Sequence, residues 1–160
     1  MGFFDRFRRV DKPIESIRDP VFGPLTSDQQ GSWDGSLDFG PTVREAQIII
    51  HVDQGTHTDG QRNAYVELSQ RYRQLRPKIG DVLFELWKPW LDEIPERDRS
   101  AILPRVANQV LAHTQLDAIG IEPDGSLTLS YSFATDGISD DATLNVGLKE
   151  WVPRAVRIDD

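Results

Sequence analysis

Apolar residues change their spacing twice along this chain, from every second position to every third or fourth and back again. That double change constrains the fold more than any other feature. Between residues 65 and 90 the apolar positions are Tyr65, Leu68, Tyr72, Leu75, Ile79, Val82 or Leu83, Leu86 and Trp90, in steps of three and four. Such a stripe is the core-facing side of a helix. Thr58 and Gln61 stand ahead of it at capping-box spacing, each side chain placed to satisfy the other's backbone amide, so the helix is expected to begin there. Pro77 interrupts the stripe and Pro89 falls near its end, which predicts a kinked helix pair or a helical hairpin. A further helix is expected over about residues 100 to 113, on Ala101, Ile102, Val106, Val110 and Leu111.

On either side the period is two. Before the helices, VFGPL lies between Pro20 and Pro24-Leu25, SWDGSLDFG ends at Pro41, and VREAQIIIHVD alternates. In the last of these Ile48, Ile50 and Val52 share one face, while Gln47, Ile49, His51 and Asp53 share the other. Both faces carry an isoleucine, as a central strand would. After the helices, Pro-Asp-Gly joins LDAIGI to LTLSYSF as a hairpin with one wet face. Leu144, Val146 and Leu148 mark another strand, and a short one is expected around Ala155 to Ile158. Strands, helices, strands is the α+β order. The expected architecture is an antiparallel or mixed sheet of about six strands, three before and three after the helical region. Residues 1–18 read as an amphipathic tail and residues 19–160 as one domain.

The 160 residues suit a single core. There is no cysteine, which removes disulfides and thiolate metal sites and points to a reducing, cytoplasmic setting. A formal net charge of −8 repels phosphate backbones and favours a basic protein partner over nucleic acid. The longest aliphatic run, Ile48-Ile49-Ile50, is far below the roughly 20 apolar residues of a membrane span. In MGFFDRFRRV, Phe3, Phe4, Phe7 and Val10 fall at helical spacing among Arg6, Arg8 and Arg9. This segment either packs on the domain or docks residues 1–10 on an acidic membrane surface or a partner groove.

HVDQGTHTDGQ is the segment richest in chemistry, with His51, Asp53, His57 and Asp59 close together. On a strand His51 and Asp53 face the same way, so a metal-dependent hydrolase with these four as ligands is one reading. The other makes Asp53 and Gly55 a turn, Thr58 a cap and Asp59 a first-turn carboxylate favoured by the helix dipole. The spacing matches no established metal motif, His113 is the one histidine left to complete a site, and no metal or other cofactor is expected. Asp136, Asp140 and Asp141 lack the alternation of a calcium loop. Arg71, Arg73, Arg76 and Lys78 form a basic run that reads as a solvated helix side or as a partner contact. Trp33, Trp87, Trp90 and Trp151 are large anchors, and Trp87 and Trp90 flank Lys88-Pro89 where one of them is expected to be exposed. G-x-S-x-G, Walker and dinucleotide glycine motifs are absent.

DPVFGPL at residues 19–25, WDG at 33–35 and Gln-x-x-Ala-Tyr at 61–65 resemble a group of uncharacterised bacterial domains. The resemblance spans about residues 19–158 and implies a three-strand, helical, three-strand layout. Some members lie near polymorphic toxin loci and are suspected immunity proteins, which implies neutralisation of a basic toxin by association. No catalytic residues come with it. The expectation is therefore a non-enzymatic bacterial protein-binding domain.

Overall fold

The period-two segments pair in the order in which they occur. The computed structural model describes residues 14–28, 31–39, 43–53, 57–93, 95, 106–133 and 143–156. Four strands come first: β1 (Ser16–Asp19), β2 (Gly23–Ser27), β3 (Ser32–Phe39) and β4 (Val43–His51). Helices α1 (Asp59–Glu93) and α2 (Ala107–His113) follow, then β5 (Thr114–Ile121), β6 (Leu127–Phe133), β7 (Leu144–Lys149) and β8 (Val152–Val156). All eight strands make one sheet in chain order. Neighbours are antiparallel except β4 and β5, which run parallel with Ile48 beside Ile119 and Ile50 beside Ile121. A parallel pair needs a long crossover, and the helices supply it.

The expected sheet of about six strands is thus corrected to eight, four on each side of the helices. The additional strands lie at the edges, where the alternation that reveals a strand is weakest. β1 is SIRD, four residues that include three of those assigned to the tail; β8 is VPRAV, which starts ahead of the short strand expected around Ala155 to Ile158 and carries a proline that only an edge strand tolerates.

The helical hairpin is also corrected. A single 35-residue helix runs through Pro77 and Pro89. Pro77 sits on its exposed side, while Leu68, Tyr72, Leu75, Ile79, Leu83 and Trp87 remain buried in one phase before and after it. That unbroken burial outweighs a penalty of about 3 kcal/mol for an interior proline. The stripe ends on Trp87, leaving Trp90 44% exposed. α2 begins only at Ala107, because Val106 ahead of it is extended (φ −140°, ψ 153°); residues 96–105 lie outside the described part. It packs close to α1 at Gly80, where a Cβ would lie 3.3 Å from Leu111.

The core lies between α1 and one face of the sheet. Ile48, Ile50, Ile119, Ile121, Leu127, Leu129, Tyr131, Val146 and Leu148 are all buried, whereas the alternate residues Ile49, His51, Gly120, Thr128, Ser130 and Gly147 are half-exposed. Near the middle, the hydroxyls of Tyr72 and Tyr131 meet at 3.0 Å. The β1–β2 hairpin folds tightly onto β3 at Gly35: a Cβ there would stand 2.8 Å from both the Leu25 side chain and the Pro24 carbonyl oxygen. Only glycine permits that approach.

Candidate functional site

The start of α1 collects most of the polar chemistry. Gln61, almost fully buried, accepts from the Thr58 amide at 2.9 Å, and its own amide donates to the Thr58 hydroxyl at 3.3 Å. This is the capping box expected from the sequence. The Gln61 side-chain amide also donates to the carbonyls of His51 (2.7 Å) and Ile121 (3.3 Å), the last residues of β4 and β5. One side chain therefore caps the helix and fastens it to the parallel pair.

Beside it lies a buried ion cluster. The Asp19 carboxylate, 1% exposed, accepts from the amides of Val21 (2.8 Å) and Phe22 (3.0 Å) on one oxygen. Its other oxygen takes His57 Nε2 at 2.6 Å and Arg62 Nε at 2.9 Å. A carboxylate only accepts, so Nε2 carries the imidazole proton. Burial raises the Asp19 pKa, but the Phe22 amide, His57, the Val21 amide and Arg62 outweigh it and hold the carboxyl well below its usual range. His57 is 2% exposed, lies edge-on to Phe22 and Trp33, and has no hydrogen-bond partner at Nδ1 among the described residues. Arg62 is shared between Asp19 and Asp59. The cluster ties the β1–β2 hairpin to the first turn of α1.

The four proposed metal ligands are consequently separated. His57 is committed to Asp19, Asp59 to Arg62, and Asp53 is exposed. His51 lies on the opposite face of the sheet, with Nδ1 3.1 Å from the Ser32 hydroxyl and Nε2 3.8 Å from the Glu122 carboxylate. Among the described residues no group of three His, Asp or Glu is placed to hold an ion.

Ser32, His51 and Glu122 follow the hydroxyl, imidazole, carboxylate order of serine hydrolases. The details differ. Ser32 is buried, its amide is bonded to Asp28 at 2.7 Å and unavailable to an oxyanion, and the Glu122 contact exceeds hydrogen-bond length. Ser32 and His51 are a directly paired cross-strand couple on β3 and β4. Asp34, on the same face, has its pKa raised by burial and by Asp28, with His51 opposing.

The basic run does not form one patch. Arg71 is bonded to Glu67 at 2.7 Å and lies over the Trp151 ring at 5.2 Å; Arg73 is exposed, and Arg76 is half-buried near Tyr72. Trp87 is core, packed on Phe133 at 4.4 Å, and Trp90 stacks on it from outside at 6.3 Å. Phe3, Phe4, Phe7, Asp136, Asp140 and Asp141 lie outside the described residues.

Register places the ends of β4, β5 and β7 and the starts of β6 and β8 at one end of the sheet. Asp28, Asp53, Glu122, Asp124 and Glu150 lie in the turns at that end, as does Lys149. Between the β5–β6 and β7–β8 turns is a cavity of about 280 Å³ lined by Asp124, Gly125, Ser126, Leu127, Leu148, Lys149, Glu150 and Trp151. The β7–β8 turn has two residues, Glu150 and Trp151, both left-handed at φ 52° and 63°. A two-residue hairpin of this hand prefers Asn-Gly, and each ill-suited residue costs about 1–3 kcal/mol. Trp151, expected as a large anchor, does pack against the core; the turn was not foreseen, because Glu-Trp carries no turn signature. No family model matches the chain, and neither does any curated protein or solved structure.

Proposed function

We propose that the protein is a non-enzymatic binding domain of the bacterial cytoplasm that associates stoichiometrically with a basic protein, in the manner of an immunity or inhibitor protein. The observation that carries this reading is the acidic end of the sheet, where Asp28, Asp53, Glu122, Asp124 and Glu150 stand in separate turns along one edge and Asp124 and Glu150 line one cavity. Carboxylates grouped on one surface steer and select a cationic partner. His51 and His57 favour no rival reading, since the polar groups beside them are Ser32 and Glu122 for the first and Asp19 and Arg62 for the second. No helix among the described residues is long and apolar enough to cross a membrane.

The test is affinity capture of the tagged full chain from its source cells, followed by calorimetry on the purified pair. A partner of high isoelectric point, bound near 1:1 and released by salt, is the expected result. The triple variant Glu122→Gln, Asp124→Asn, Glu150→Gln then slows association. Reproducible capture of nothing, or binding indifferent to salt and to that variant, overturns the reading.

A further inference from the structure

Trp151 holds a backbone conformation that suits glycine and lines a cavity together with the Asp124 and Glu150 carboxylates. Strain of this kind persists where the surroundings impose it and gathers at ligand-contacting positions. Part of the indole packs against the core, and the ring also lines the cavity. One face of the ring already shows what it attracts: the Arg71 guanidinium stands 5.2 Å from the ring centroid, held by Glu67. Arg71 does not line the cavity, whereas Trp151 does.

We propose that the cavity between the β5–β6 and β7–β8 turns receives an arginine or lysine side chain of the partner, its cation set against the Trp151 ring and the Asp124 and Glu150 carboxylates. This rests on the reading of the protein as a binder of basic proteins, and names the contact. Leu127 and Leu148, almost fully buried, form the floor of the cavity, and a ring with carboxylates is the usual receptacle for a desolvated cation. The volume of about 280 Å³ falls just below the range for drug-sized ligands, and so suits one long side chain. Asp124 is kept ionised by the Ser126 hydroxyl and amide, with a smaller contribution from Lys149. Lys149 is thus an internal competitor: its ammonium already sits among the groups that an incoming cation would use.

The probe is N-acetyl-arginine methylamide, titrated into the isotope-labelled full chain and followed by amide and indole resonances. Saturable shifts confined to Ser126, Lys149, Glu150 and Trp151 are expected, and the neutral citrulline analogue binds at least tenfold more weakly. Trp151→Gly keeps the turn, because glycine accepts its φ, but loses at least tenfold in affinity. Lys149→Met tightens binding severalfold. Unsaturable shifts, equal response to citrulline, or unchanged affinity in Trp151→Gly overturns the proposal. Failure here is separable from failure of the wider reading. A basic partner held equally by wild type and Trp151→Gly leaves the binding function standing without this contact, whereas capture of no partner removes the function itself.

Discussion

Asp19 shows how one carboxylate can organise a fold. Four donors surround it, two from its own hairpin and two from residues 38 and 43 positions away, and it has almost no contact with water. Leaving such a cluster one charge short costs about 3–5 kcal/mol. Asp19→Ala should therefore lose about that much unfolding free energy in urea titrations near neutral pH. The pH dependence has a definite sign. The folded pKa lies below the ordinary 3.8, so the stabilisation is complete above about pH 5 and is lost as pH falls through and below the unfolded value. Asp19→Asn should lack that acid-limb slope when both proteins are titrated from pH 6 to pH 2. Gly35 makes a different kind of demand. A methyl group there meets the Pro24 carbonyl at 2.8 Å, and backbone does not yield easily. Gly35→Ala should cost about 1–3 kcal/mol, the usual penalty of overpacking, read from the thermal midpoint.

Helix α1 accepts Pro77 because its buried side chains stay in phase across it. The exposed proline then contributes only its missing hydrogen bond and its clash with the preceding turn. Pro77→Ala should raise the thermal midpoint, by an amount corresponding to at most about 3 kcal/mol; a lower midpoint would mean that the packing of α1 requires the proline. The elements legible in the sequence were those with strong periodicity: the capped start of α1, the central strand β4, the β5–β6 hairpin and β7. β1 was not foreseen and β8 was expected too late in the chain, because an edge strand of four or five residues carries little pattern. Continuity of α1 was hidden for another reason: a proline's local cost is visible in sequence, while the packing that offsets it is not. The same divide runs through the site. Thr58 and Gln61 are three residues apart and follow a local rule, but nothing local connects Asp19 with His57, 38 residues on, until the hairpin folds over β3.

For the whole molecule, charge and topology have separate consequences. With a formal net charge of −8 and carboxylates crowded at one end of the sheet, self-repulsion opposes compaction and salt relieves it. The thermal midpoint should rise between about 10 and 300 mM sodium chloride, and a fall would show that the attractive pairs around Arg62 outweigh the repulsion. The sheet consists of two antiparallel meanders, joined only where β4 lies beside β5. During synthesis the first meander is complete at His51, yet the strand that covers its inner edge begins at Thr114, about 60 residues later. At about 5–20 residues per second, the nascent isoleucine ridge waits roughly 3–12 s on the ribosome with its hydrogen-bonding edge open. For those seconds the growing polypeptide is a template for any neighbouring strand, and its escape from aggregation depends on how quickly translation delivers the second half.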